Sequence, residues 1–266
     1  MKGRVLIVAG SDSGGGAGIQ ADIKAVTALN AYAATAITAL TAQNTLGVFG
    51  VHPVPVDFIR QQIDLVLDDI GADAIKTGML HSAEVIETVA RAIREKAPNV
   101  PLVVDTVMVA KGGASLLDPG ATGALRSHLL PLATLITPNA PEAVALLGAP
   151  VDSLAGLERA AVALSKLGPK AVLVKGGHVA GDIVRDVLCI DGALQLFDSP
   201  RIASTSTHGT GCTLASAIAA SLAQGLTMID AVIRARAYVQ EAIRTAPGYG
   251  KGHGPLNHAH TVKSGS

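Results

Sequence analysis

The chain has 266 residues, 49% of them hydrophobic and 16% charged, with Lys plus Arg matching Asp plus Glu at 21 each. This composition excludes a disordered chain, and the balanced charge supplies no bulk attraction for nucleic acid or an anionic membrane. Three Tyr, three Phe and no Trp make stacking platforms for bases or glycans scarce, so the core must rest on Ala, Val, Ile and Leu.

In chain order, short apolar runs predict strands over Arg4–Ala9, Thr35–Leu40, Val48–Val54, Ala74–Thr77, Leu102–Asp105, Thr134–Thr137 and Ala171–Lys175. Helical period falls between them. Over Ala83–Glu95, Val85, Ile86, Val89 and Ile93 share one face, while Glu84, Glu87, Arg91 and Arg94 face away. Apolar strands separated by helices predict an α/β three-layer sandwich, a mostly parallel central sheet with helices on both faces. Ile183–Ile190, Asp191-Gly192 and Ala193–Phe197 predict a β-hairpin near one sheet edge, because Asp-Gly accepts the positive φ of a type I′ turn. No linker, repeat or charge run divides the chain, which predicts one domain over residues 1–266. Residues 249–266, rich in Gly and His, are expected to form a flexible tail.

The run Val5–Ala9 is shorter than the roughly 7–15 apolar residues of a secretory signal, and nothing approaches the ~18 apolar residues of a membrane span. Two cysteines, Cys189 and Cys212, are too few for a disulfide framework. A reducing, cytoplasmic setting is expected, with neither membrane nor nucleic acid as partner.

Two glycine-rich loops carry the chemistry. Gly10 to Gly18 follows the first strand, but Ile19-Gln20 stands where a Walker A loop needs Lys-Ser/Thr. A dinucleotide fingerprint wants an acidic residue about 20 positions on, and none lies between Asp22 and Asp57. The loop is left either as a flexible turn or as a wall offering backbone amides to a small ligand. The second cluster, Thr205-Ser206-Thr207-His208-Gly209-Thr210-Gly211-Cys212-Thr213, leads into the apolar helical stretch Leu214–Ala223. Small residues at a helix start expose free N–H groups at the positive end of the macrodipole, which makes an anion hole or, more plainly, a cap.

His208-Gly209-Thr210-Gly211-Cys212 resembles the C-terminal signature of the ribokinase-like superfamily, in the form found in hydroxymethylpyrimidine and phosphomethylpyrimidine kinases of thiamine synthesis. Six further stretches agree in order and spacing: Ala9 to Asp22, Thr38 to Thr45, Lys76-Thr77-Gly78-Met79-Leu80, Asp105-Thr106-Val107-Met108, Thr137 to Ala143, and Val174-Lys175-Gly176-Gly177-His178. The resemblance covers nearly the whole chain. It implies ATP- and Mg²⁺-dependent phosphorylation of 4-amino-5-hydroxymethyl-2-methylpyrimidine and then of its monophosphate, in a homodimer.

The resemblance places Gln43, Met79, Val107, Gly10 and Asp22 at the pyrimidine, with Asn139, Lys175, Thr210 and His208 at the nucleotide. It places Cys212, Gly209, Gly211 and Lys175 at the transfer itself, and Asp105 and Glu142 at the metal. The residue types suit these roles. A glutamine amide matches an amine donor beside a ring-nitrogen acceptor. Asn139 and Glu142, three apart at a helix start, present oxygens on one face for Mg²⁺ and its waters, or else form a cap. Asp105 and Lys175 end strands, where open α/β sheets place ligand residues, although Lys175 also fits an ordinary solvated lysine. His208 stands where it can shape the anion-hole loop. Cys212 departs from the Asp that many sugar and nucleoside kinases carry as the base. Its helix N-terminus should depress the thiol pKa, letting it serve the hydroxymethyl group in the first transfer. The rivals are a pyridoxal or pyridoxine kinase and, from another class, a non-catalytic pyrimidine-binding sensor.

Overall fold

A computed structural model describes residues 1–109, 113, 116–118 and 120–262. Among them nine strands form one sheet in the order β3-β2-β1-β4-β5-β6-β7-β8-β9. The strands are β1 (Arg4–Asp12), β2 (Tyr32–Asn44), β3 (Gly47–Pro53), β4 (Ala74–Thr77), β5 (Leu102–Val104), β6 (Leu135–Ile136), β7 (Ala171–Val174), β8 (Ile183–Ile190) and β9 (Ala193–Pro200). The six from β2 to β7 in that order pair in parallel, and β3, β8 and β9 join antiparallel at the edges.

The helices are α1 (Gly18–Ala28), α2 (Val56–Asp69), α3 (Ala83–Lys96), α4 (Ala121–Ala124), α5 (Ala140–Leu147), α6 (Leu154–Ser165), α7 (Thr210–Ala223) and α8 (Met228–Arg244). Two apolar cores result, one on each face of the sheet. Along β1, Leu6 and Val8 point into the core under α2, α3, α5 and α6, while Val5, Ile7 and Ala9 point into the core under α1, α7 and α8. Because both faces are covered, β1 reads apolar without alternation from Val5 to Ala9. The three-layer sandwich expected from the sequence is therefore present.

The β8–β9 hairpin turns at Asp191 and Gly192 with φ of 50° and 79°, the left-handed pair that a type I′ turn requires. A second hairpin was not legible. β2 runs on from Leu40 to Asn44, and β3 returns antiparallel beside it. The added residues Thr41, Ala42, Gln43 and Asn44 are half-exposed and mostly polar, so they carry no apolar run to announce a strand.

The C-terminal segment departs from the expectation of a flexible tail. Leu256 and His258 are buried. The Tyr238 hydroxyl donates to the His258 carbonyl at 2.7 Å, and the His208 amide donates to the Gly254 carbonyl at 3.1 Å. A Cβ on Gly252 would stand 2.1 Å from the Thr45 carbonyl oxygen, so glycine lets this segment lie directly against the β2–β3 turn. Glycine richness reads as flexibility in sequence and serves close approach in the fold. Residues 263–266 lie outside the described residues.

His258 gives this segment a pH dependence. Its Nε2 lies 2.9 Å from Thr213 Oγ1 of α7, and burial, helped by the charge of Lys24, pushes its pKa from 6.5 down to about 4. The unfolded chain takes up the proton near pH 6.5 and the fold only near pH 4. The stability due to neutral His258 is complete above that window and is lost as pH falls through it, by roughly 3 kcal/mol in all. Urea denaturation across the window should show His258→Gln losing less stability on acidification than the parent.

Candidate active site

Open α/β sheets bind ligands beyond the carboxyl ends of their strands, where the strand order reverses. Here β1 is that point, with β2 on one side and β4 on the other. A cleft of about 540 Å³ opens at this end and reaches the start of α7; a second cavity of about 270 Å³ adjoins it. The two share Asn139, Lys175, His178, Thr207, Thr210 and Gly211. The second is walled on its far side by Ile202, Leu214, Val239 and Ile243.

The first wall is built from the loop after β1. Asp12 accepts hydrogen bonds from the amides of Gly14 (2.8 Å), Gly16 (3.0 Å) and Ala17 (2.7 Å), and its Oδ2 lies 2.9 Å from His208 Nε2. Burial would raise the Asp12 pKa, but His208 and these amides outweigh it and hold the carboxyl below its usual range. The glycine-rich loop is thus wound round one carboxylate. Gly10 and Met79 close this end, a Cβ on Gly10 standing 3.0 Å from Met79 Sδ.

The opposite wall is charged. Lys175 follows β7 and donates to Asp105 Oδ1 at 3.1 Å, with Glu142 Oε2 at 4.0 Å. Asn139 caps α5 and forms a capping box with Glu142, accepting from the Glu142 amide at 2.9 Å while Glu142 Oε2 accepts from the Asn139 amide at 2.8 Å. The capping reading of this pair is therefore realised, and it fixes where the Glu142 carboxylate stands. Burial would raise Asp105, yet Lys175 and Lys76, with the Thr137 hydroxyl, hold it low. Glu142 is pushed up by burial against the pull of Lys175. Lys175 itself is raised, because Asp105 and Glu142 outweigh the cost of burying its ammonium.

Between these walls α7 begins. Gly209, its N-cap, has φ of 80°, and a Cβ there would meet the Gly16 carbonyl oxygen at 1.9 Å. Only glycine lets the two glycine loops touch. A Cβ on Gly211 would lie 3.2 Å from Lys175 Nζ and 3.7 Å from both Asp105 oxygens, which sets the charged cluster directly over the first turn of the helix. Helix-start amides, the positive macrodipole end and a charged lysine thus converge on one spot.

Cys212, Gly209, Gly211, Lys175, Gln43, Met79, Val107, Gly10, Asn139, Thr210, His208, Asp105 and Glu142 all line the cleft. Asp22 does not. It is fully buried beneath the floor, where both of its oxygens lie 2.8 Å from Lys76 Nζ and Oδ1 accepts from Ser216 Oγ at 2.7 Å. The residue that reaches the cleft is Lys76, overlooked in sequence together with Asp12. A lysine inside an apolar strand that is buried on both faces demands a carboxylate partner, and that signal was present. His208, expected at the nucleotide, stands in the first cleft against Asp12 and Gln43 and is not part of the second cavity's wall.

The expected thiolate at Cys212 is also corrected. Burial, with the carboxylates of Asp22 and Asp105, outweighs Lys76 and the Gly18 amide, and the thiol is pushed up to about 12. A helix start lowers a thiol pKa only where the thiolate keeps its solvation.

The site fits a magnesium ion held mainly by phosphate oxygens and water. Asp105 and Glu142 flank Lys175, and among the described residues no three His, Cys, Asp or Glu side chains gather into a cage of their own.

Residues 12–257 match the model of the phosphomethylpyrimidine kinase family. The chain belongs to that family. It is 49% identical over 256 residues to the hydroxymethylpyrimidine/phosphomethylpyrimidine kinase of Bacillus subtilis, covering 96% of this chain and 94% of the relative. The thiamine biosynthesis bifunctional protein ThiED of Geobacter sulfurreducens is 54% identical over 97% of this chain, which spans about half (52%) of that protein's length. Among solved structures, the pyridoxal kinase of Staphylococcus aureus in complex with ADP superposes with a TM-score of 0.91 at 35% identity, covering 99% of this chain and 96% of that one. The phosphomethylpyrimidine kinase of Clostridium difficile gives 0.81 at 41% identity, over 91% of this chain and 100% of that one. The chain is thus a kinase, a phosphotransferase with a ribokinase-like fold. Among the described residues no helix is long and apolar enough to cross a membrane.

Proposed function

We propose that this kinase transfers the γ-phosphoryl group of ATP to 4-amino-5-hydroxymethyl-2-methylpyrimidine and then to the resulting monophosphate. The observation that carries this reading is the polarity of the cleft. Gln43, Met79 and Val107 supply a ring-sized amide-and-apolar end, while Lys175 and the start of α7 supply an anion-binding end.

The ring lies between Met79 and Val107, its amine and ring nitrogen on the Gln43 amide. The nucleotide lies in the second cavity, its base against the apolar wall and its phosphates at Asn139, Thr210 and Lys175. The amides of Gly209, Gly211 and Cys212 and the Lys175 ammonium face the phosphoryl group as its charge spreads in transfer. Asp105 and Glu142 would hold Mg²⁺ through its waters, and the ion supplies charge neutralisation on the phosphates. Cys212, a thiol at rest, orients the hydroxymethyl group; its oxygen bonds to the γ-phosphorus as the bond to ADP breaks, and the hydroxyl proton passes to a phosphate oxygen. The second acceptor is a phosphate oxygen and no longer presents that hydroxyl for orienting, so it depends on Cys212 less. An ATP-using enzyme with two free cysteines suits a reducing, ATP-rich cytoplasm. The exposed Leu46 and Phe49 near and on edge strand β3 suit a second copy of the chain, which light scattering would register as a doubled mass.

The test offers hydroxymethylpyrimidine, its monophosphate and pyridoxal side by side, with ATP and Mg²⁺, following ADP and phosphorylated products. Turnover of both pyrimidines with little pyridoxal phosphate is expected. Cys212→Ala should slow the first transfer more than the second. Pyridoxal turnover alone would move the enzyme to the vitamin B6 class; tight pyrimidine binding without turnover would make it a sensor.

A further inference from the structure

Gln43 stands with its Nε2 3.2 Å from His208 Nε2 and its Oε1 3.2 Å from Thr41 Oγ1. The two ends are alike in size, and the neighbours decide which is which. His208 Nε2 also lies 2.9 Å from Asp12 Oδ2, a carboxylate oxygen that can only accept. That nitrogen therefore carries the proton. With the amide nitrogen of Gln43 against it, two donors would face each other. On the other side the single Thr41 hydroxyl proton can go to Gln43 or to the Ser11 carbonyl at 2.9 Å, and donating to Ser11 leaves the Thr41 oxygen as an acceptor. His208 asks for the turned amide, and Thr41 accommodates it, with Gln43 Oε1 toward His208 and Nε2 toward Thr41.

We infer that Asp12 and His208 are positioning residues that lock the Gln43 amide in this orientation and so set which way round the substrate ring binds. This rests on the aminopyrimidine reading above. The locked amide offers an acceptor on the His208 side and a donor on the Thr41 side. A 4-aminopyrimidine must then place its amine toward His208 and its ring nitrogen toward Thr41. The hydroxymethyl group sits on the carbon next to the amine-bearing one, on the side away from that nitrogen. His208 directly precedes Gly209, the N-cap of α7, so the reactive hydroxyl is turned toward the anion hole. A reversed amide would turn it away. The His208 backbone is itself pinned, its amide on the Gly254 carbonyl at 3.1 Å.

The first readout needs no substrate. Long-range ¹H–¹⁵N NMR of the His208 ring in the free protein should show the Nε2–H tautomer, and Nδ1–H would overturn the inference. The second is kinetic. The parent should prefer the 4-amino pyrimidine over its 4-oxo analogue, whose edge offers the reverse donor–acceptor order. His208→Ala should raise KM for the amino substrate roughly tenfold, with KM for ATP unmoved, and should narrow the amino-over-oxo preference. His208→Gln, which restores an N–H donor, should recover most of both. In a Gln43→Ala background His208→Ala should add little. Additive losses, or a rise in KM for ATP, would mean a merely structural histidine and overturn the proposal. An Nε2–H tautomer in a protein that turns over no pyrimidine would instead refute the substrate reading.

Discussion

Lys175→Met should cut kcat for both transfers by roughly 10²–10³-fold, or about 3 kcal/mol of transition-state stabilisation. Lys175 is the cation placed over the first turn of α7, 3.2 Å from where a Gly211 side chain would begin. The loss should fall on both acceptors alike, because the lysine faces the group being transferred. A second effect deepens it. Lys175 is the counter-charge of Asp105 and Glu142, and burial already pushes the Glu142 pKa up. Without the ammonium, Glu142 would bind a proton more readily and lose the charge that suits it to Mg²⁺. Steady-state kinetics with each acceptor, with a melting curve to confirm folding, decide the matter. A variant that kept its kcat would remove Lys175 from the transfer.

Lys76→Met should destabilise the protein by about 3–5 kcal/mol, since it strands Asp22 as a buried, uncompensated charge. The melting temperature should fall on the order of 10 °C. Both side chains are wholly buried, and the pair lies between α1 and β4. Lys76 is kept charged because Asp22, with Asp105 beyond it, outweighs the cost of burying it. Replacing both members by apolar residues, Lys76→Met with Asp22→Leu, should recover much of the loss, because a well-packed apolar pair avoids the desolvation penalty. If the double variant were as unstable as the two single changes summed, the pairing would not be the cause.

Much of the candidate site was legible because residue types suited to phosphate fall at the ends of strands and the starts of helices, and both are marked in sequence. Asp105 and Lys175 follow apolar runs; Gly209 and Gly211 open an apolar helical stretch. The residues misjudged are those whose meaning depends on distant partners. Asp22 resembles a substrate ligand until Lys76, 54 positions away, is seen holding it. His208 resembles a nucleotide ligand until Asp12, 196 positions away, claims its ring.

Local pattern by itself determined the layer architecture and the β8–β9 turn, while the resemblance supplied cleft residues such as Gln43, Met79 and Val107. Period, turn chemistry and strand-end position act over a few residues and leave their mark on the chain. Only the tertiary structure decided the buried, carboxylate-lined surroundings of Cys212, the neighbours of the Gln43 amide and the packing of the C-terminal segment. Those depend on solvent exclusion and on charges brought from elsewhere, and neither is a property of any short stretch of sequence.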